Sequence, residues 1–286
     1  MITRIYSGEQ RIDVLDPCDR GIAYGDGVFE TILIDRGTPV WWDAHLARLQ
    51  HGCATLGIAA PDPVFLRRES DAVVAVCAHG VLKLIVTRGV GERSYALSSH
   101  VPPTIVLSLS SAPPSAAREG LRVRWCETPL AIQPRLARIK HLNRLEQVLA
   151  RAEWNDADPD KPAIHEGLQC DTAGRVVSAT SSNLFVLRDG RWLTPPVDAC
   201  GIAGVCRGWI LDHVAESAEA VLTRGEVESA DAIVLCNAVR GILPVAALGS
   251  RCWSPHAETI ALRQRLAEAE PAFDPAHGSQ DSLEDA

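Results

Sequence analysis

"IKHLNRLEQVLAR", residues 139–151, holds Lys140, one of three lysines in a chain of 286 residues; the others are Lys83 and Lys161. Most other basic positions carry arginine. A guanidinium stays protonated, whereas a desolvated lysine amine can lose its proton and serve as nucleophile or base. The helix predicted after Lys140 has a visible start, with Asn143 as cap and Glu146 three positions on, as in a capping box. Its apolar face is Leu142, Leu145, Val148, Leu149 and Ala152, which leaves Lys140 on the incoming strand or turn. Lysines are mostly exposed, so a plain surface lysine fits this position too.

Upstream, "GVFETILID" (27–35) reads as a strand and "DAHLARLQHGCATLGI" (43–58) as an amphipathic helix with Leu46, Leu49, Cys53 and Leu56 on one face. A further helix is predicted over 63–79, and β-rich runs follow at 81–89 and 104–110. "SAPPSAAREG" (111–120) breaks the pattern with adjacent prolines. The expected organisation is therefore an α+β domain over 1–112, a linker over 113–120 and a second domain over 121–270. Within the latter, 176–196 reads as strand, hairpin turn at Asp189-Gly190, and strand; a helix follows Gly204; and 231–245 reads as strand, turn, strand. The acidic, polar end over 271–286 has the composition of a disordered tail.

Composition narrows the partners. A net charge of −8, without lysine or arginine runs, offers no field for nucleic acid or for an anionic membrane. No apolar run reaches the length of a membrane span, and no signal peptide opens the chain, so the expected location is cytoplasmic. The nine cysteines form no C-x-x-C pair and no zinc spacing, and read as small buried hydrophobes in a reducing compartment; no metal is expected.

"KHLNRLEQVLAR" resembles the lysine motif of the 4-amino-4-deoxychorismate lyases, pyridoxal 5'-phosphate enzymes of fold type IV. The resemblance extends through "DRGIAYGDGVFET" (19–31), "AHLARLQ" (44–50), "SSNLF" (181–185), "CGIAGVCRG" (200–208) and "CNAVRGILPV" (236–245). It implies a two-domain, D-amino acid aminotransferase-like fold, with a smaller N-terminal α/β sandwich and a larger β-rich C-terminal domain. It implies a homodimer as well. It also implies that Lys140 is the Schiff-base lysine and general base, and that the reaction takes 4-amino-4-deoxychorismate to 4-aminobenzoate and pyruvate for folate synthesis. Arg48 resembles the arginine that completes the cofactor's phosphate site. The amides of Val205 and Cys206, at a helix start, and Asn237 and Ala238, in a turn, would supply the remaining donors.

One position departs from the family. A glutamate usually stands near the start of the "NLF" motif and keeps the pyridine nitrogen protonated; in "VVSATSSNLF" that position is Ser178. A hydroxyl can hydrogen-bond the nitrogen but supplies no counter-charge, which weakens the ring as an electron sink. Elimination that forms an aromatic ring tolerates this better than transamination does. An alternative reading leaves Ser178 as an ordinary strand residue. Arg88, Arg93, Tyr95 and Arg240 are candidates for the substrate carboxylates. His141 is expected to be structural, since adjacent strand residues face opposite ways. The competing readings are a D-amino acid or branched-chain aminotransferase on this scaffold, and a non-catalytic protein that binds the cofactor or a partner.

Overall fold

The computed structural model describes residues 2–91, 94–97, 101–113, 119–154 and 163–274. The chain divides into two compact units, Met1–Pro113 with Ile139–Arg144, and Pro114–Arg138 with Leu145–Ala286. The sequence reading had placed residues 139–144 in the second domain, whereas their backbone pairing ties them to the first unit. The amide of Phe29 donates to the carbonyl of Lys140, and that of Leu142 to the carbonyl of Gly27.

The first unit contains β1 (Ile2–Ser7), β2 (Gln10–Ile12), α1 (Arg20–Tyr24), β3 (Gly27–Asp35), β4 (Thr38–Pro39), α2 (Trp42–Leu56), α3 (Pro63–Val74), β5 (His79–Thr87) and β6 (Thr104–Ser110). Among the described residues the strands make one antiparallel sheet in the order β2-β1-β6-β5-β3-β4. Helices α2 and α3 seal it: Leu49 and Cys53 of α2 and Phe65, Leu66 and Val73 of α3 join Val28, Ile32 and Ile34 of β3 in one core. Each such buried aliphatic or aromatic side chain contributes roughly 1.5–3 kcal/mol. Both helices have clear local signals. The Asp62 side chain accepts from the Val64 amide with Pro63 at the first turn, and Gly57 ends α2 in the left-handed region at φ 65°.

The second unit contains β7 (Leu121–Trp125), α4 (Leu145–Arg151), β8 (Glu166–Cys170), β9 (Val176–Ala179), β10 (Asn183–Arg188), β11 (Arg191–Thr194), α5 (Val205–His213), β12 (Ser217–Glu219), α6 (Arg224–Glu228), β13 (Ala232–Asn237), β14 (Gly241–Leu248), β15 (Arg251–Cys252) and α7 (Ala257–Ala269). Its sheet runs β12-β11-β10-β13-β14-β7-β8-β9, with β15 on β14. The pairs β11–β12, β14–β7 and β7–β8 are parallel. Strands β9, β10 and β13 are buried along nearly their whole length, which suits their largely apolar runs, and β8 is buried throughout although it carries Glu166 and Gln169. The turn at Asp189-Gly190 has φ 50° and 73°, the two positive values a tight hairpin needs.

Two local expectations fail. Helix α4 begins at Leu145, two residues beyond the expected cap, because Asn143 Nδ2 donates to the Gly25 carbonyl and Glu146 accepts from the Ala131 amide instead of reaching back. Its apolar stripe is also outward: Leu145, Val148 and Leu149 are 75, 59 and 60% exposed. The end of the chain is ordered further than its composition suggested. Residues Pro271–Phe273 form one 3-10 turn, and the Phe273 ring lies against Gly241, where an added Cβ would meet it at 2.9 Å. Residues 275–286 of the expected tail lie outside the described residues.

Candidate active site

In the first unit Lys140 sits on an extended stretch bridged to β3 through His141 and Val28. Its Nζ lies 4.4 Å from the centroid of the Phe29 ring. Burial, chiefly, and then the charge of Arg48 pull the Lys140 amine down to about 7, against the opposing pull of Glu30. An amine titrating there is part neutral at physiological pH, which a surface lysine is not.

Glu30 is the hub of this region. It stands mid-strand in β3 and is 1% exposed. Arg48 reaches it with two donors, Nε at 2.9 Å and a terminal nitrogen at 2.5 Å, and His45 Nδ1 approaches at 2.6 Å. Burial disfavours the carboxylate, but Arg48 and the His45 hydrogen bond outweigh it and hold Glu30 at about 2. An ionised Glu30 accepts, so His45 Nδ1–H donates. Burial pulls His45 below its ordinary value, so the ring is neutral, and its Nε2 is buried without a partner among the described residues. His45 and Arg48 are three positions apart on α2 and so share the face turned to β3.

The helix therefore buries His45, Leu49 and Cys53, with Arg48 at its edge, and leaves Leu46 only partly covered. Sequence reading missed Glu30 and His45. The signal was an acid inside the apolar run of "GVFETILID", opposite a His-x-x-Arg pair on the next helix.

The substrate-carboxylate candidates have different surroundings where they are described. Arg88 binds Asp26 through two nitrogens and donates to the carbonyls of Leu56 and Gly57, at 2.7 Å each. Its donors close the end of α2 and hold Asp26. Tyr95 is 82% exposed, with its ring against Tyr24, and Arg93 lies outside the described residues. His141 contacts Arg144 through Nε2, and burial with that neighbouring charge pushes it down to about 4. A neutral histidine held by an arginine is poorly placed to take a proton.

In the second unit, α5 follows Gly204, which has no side chain to cap it, so no capping side chain accepts from the first-turn amides. Gly204 is held close to Asn183, whose Oδ1 a Cβ would meet at 2.1 Å; Asn183 Nδ2 donates to the Ile202 carbonyl. Between β13 and β14, Asn237 Oδ1 accepts from the amides of Val239 and Arg240, and its Nδ2 donates to Ser182 Oγ. Ala238 is the next residue of that turn. Arg240 lies there too, with its Nε buried and unpartnered among the described residues. Ser178 is nearly buried on β9, in register with Gln169 of β8. No cluster of potential metal ligands and no helix long and apolar enough to cross a membrane occurs among the described residues.

This chain belongs to the aminotransferase class IV family, whose model matches residues 27–248. Within it, the chain is similar to the aminodeoxychorismate lyase of Vibrio harveyi, 32% identical over 81% of this chain and 86% of that one. It also resembles the crystal structure of 4-amino-4-deoxychorismate lyase from Pseudomonas aeruginosa, with 41% identity and a TM-score of 0.86 over 93% of this chain and 98% of the other. The D-alanine aminotransferase of Bacillus licheniformis is a more distant relative, 26% identical over 80% of this chain and 81% of its own length.

Proposed function

We propose that the protein is a pyridoxal phosphate-dependent lyase that converts 4-amino-4-deoxychorismate to 4-aminobenzoate and pyruvate. The observation that carries this reading is the Lys140 amine, lowered to about 7 on a half-buried stretch beside Arg48 and Glu30. A near-neutral amine fits an aldehyde cofactor. The uncapped start of α5 fits its phosphate, since free amides and the helix dipole favour an anion.

Lys140 would hold the cofactor covalently. Val205, Cys206, Asn237 and Ala238 would take the phosphate, Arg48, oriented by Glu30, would add positive charge for it, and Ser178 would meet the ring nitrogen. When bound, the cofactor supplies a sink for the electron pair left at the reacting carbon.

Lys140 has two tasks. Its free amine removes the proton from C4 of the substrate, the bond to the enolpyruvyl oxygen breaks, and the ring becomes aromatic. The same nitrogen then returns the proton to the methylene of the released enolpyruvate, which gives pyruvate. An arginine could do neither. Arg240, with a buried donor and no carboxylate partner among the described residues, is the substrate-carboxylate candidate that geometry favours over Arg88. The outward stripe Leu145, Val148 and Leu149 supports a homodimer, since a helix face this apolar is normally covered. Nine free cysteines, six of them buried, support a cytoplasmic, reducing location.

The test supplies cofactor-loaded protein with 4-amino-4-deoxychorismate and quantifies both products. Equal yields of 4-aminobenzoate and pyruvate, far above the protein concentration, are expected. Turnover of a D-amino acid with a 2-oxo acid, without either aromatic product or elimination, would assign the aminotransferase reading instead.

A further inference from the structure

A second lysine of the first unit, Lys83, stands beside the same aromatic ring as Lys140, and the inference drawn from it rests on the lyase reading above. The Lys83 Nζ lies 5.4 Å from the Phe29 ring centroid, and the Lys140 Nζ 4.4 Å. The two amines are therefore no more than about 10 Å apart, comparable to the Debye length at physiological salt. Register puts Lys83 and Phe29 on one face of the sheet. Lys83, mid-strand in β5, is directly opposite Thr31 of β3 and Ser108 of β6, and Phe29 is two residues along β3 from Thr31. Residues two apart on a strand, or opposite across a pair, share a face. The alternate residues Glu30, Ile32, Leu82, Leu84 and Leu107 lie on the other face, the one that α2 and α3 cover.

Lysine is a poor strand former, and β5 is a central strand, so packing alone does not explain this residue. Nor does ion pairing. Among the described residues no carboxylate comes within ion-pair distance of Lys83, in a chain with 36 acidic residues against 28 lysines and arginines. Asp35, on the same face of β3, pairs with His79 at the far end of the strand pair. The other basic side chains described in this unit are engaged or placed elsewhere. Arg4, Arg20, Arg48, Arg67, Arg68 and Arg88 all meet carboxylates, and Arg144 contacts His141. Arg11 is opposite Tyr6 on the helix-covered face, and Arg36 lies in the turn between β3 and β4. Lys83 thus keeps an uncommitted positive charge on the Phe29 face, next to the amine that does the chemistry.

We propose that Lys83 is a specificity residue that binds a carboxylate of the substrate whose C4 proton Lys140 removes. 4-Amino-4-deoxychorismate carries one carboxylate on its ring, para to the amine as in 4-aminobenzoate, and another on the enolpyruvyl group. An ammonium near the base, on the face that carries Phe29, can take either, because it offers three donors and a full charge. Phe29 offers apolar surface to the substrate's ring, and Lys83 offers charge to its anionic end. A simple amino acid such as alanine has its one carboxylate next to its amine and nothing for a second cation to hold. The Lys83 ammonium therefore favours the dianionic substrate over amino acids.

The test compares cofactor-loaded wild type with Lys83→Met, which removes the charge from an exposed side chain and keeps its length. Substrate KM is measured, together with equilibrium binding of 4-aminobenzoate, pyruvate and aniline. KM should rise roughly tenfold while kcat changes far less, as for the loss of one charge-assisted hydrogen bond to the substrate. Lys83→Arg should restore most of the loss, and Lys83→Gln should repeat it if the Met variant folds poorly. Aniline, which has no carboxylate, should bind both proteins alike. Weakened 4-aminobenzoate assigns Lys83 to the ring carboxylate, and weakened pyruvate to the enolpyruvyl one. An unchanged KM overturns the proposal, as does aniline weakened as much as the acids. Wild type that forms no 4-aminobenzoate, yet binds it through Lys83, would sink the lyase reading and leave this assignment in place.

Discussion

Glu30 and His45 put ionisable groups in the core of one unit, beside Arg48 and Lys140, whereas the polar positions proposed for the cofactor in the other unit, Ser178, Asn183 and Asn237, are neutral. The two solutions make different demands. In the first, each charge is tolerable only because an opposite one lies against it, so removing a partner leaves a buried charge unpaired. In the second, the polar atoms need hydrogen bonds of correct sense, and the cost of an error is one unmade bond. Sensitivity to pH is therefore expected at the first set of residues, and sensitivity to shape at the second.

Substitutions can break this contrast, and the largest effect is expected at Lys140. Lys140→Ala should lower turnover by about 10³-fold or more, since tether and base are lost at once. Glu30→Gln comes next. It should cost about 3–5 kcal/mol in urea unfolding at neutral pH by removing the buried charge that faces Arg48. Because the carboxyl is held at about 2 in the fold against 4.5 when free, its contribution is full above 4.5 and fades as pH falls toward 2. The stability difference between wild type and Glu30→Gln should shrink accordingly in acid. The same change removes the negative charge that props up the Lys140 amine, so its midpoint should move below about 7.

At the neutral positions the effects should be smaller and flat with pH. Gly204→Ala would drive a Cβ into Asn183 Oδ1 and shift the start of α5. Its cofactor dissociation constant should rise about tenfold, equivalent to one lost hydrogen bond, with no change in pH profile. Arg88→Ala sharpens the comparison from the first unit. Loss of its bonds to Asp26 and two carbonyls should lower stability by about 1–3 kcal/mol while the substrate KM stays constant. A large rise in KM would restore Arg88 as a substrate ligand.

Much of the fold was legible because its signals are local. The strand 27–35, the helix starts near 43 and 63 and the Asp189-Gly190 turn announce themselves by periodicity, capping and glycine. Strand β8 did not. "EGLQC" carries an acid, a glycine and an amide, each a poor strand signal, yet all five residues are buried, because Glu166 finds hydroxyls on Thr180 and Ser181 and Gly167 admits Cys126 and Trp154. Helix α4 misled in the opposite way, its periodicity being real but its apolar face turned outward.

For the candidate site, Lys140 stood out by residue type and by resemblance, since lysine is rare in this chain. Glu30 and His45 could not be read the same way. Their roles depend on which partner lies across a sheet or against a helix, and that is fixed by tertiary contacts between distant segments. Arg88 shows the converse: an arginine in a promising loop whose donors the fold uses for itself.

The central claim is that one lysine amine, held near neutrality by burial and by the Arg48–Glu30 pair, carries the chemistry. It is tested most directly by trapping pyridoxal phosphate on the protein with borohydride across pH 5–10, then mapping the labelled peptide. Label on Lys140 alone, captured at a rate that rises with a midpoint near 7, is the result expected. Label on Lys83 or Lys161, or a midpoint near the ordinary lysine value of about 10.4, would contradict it.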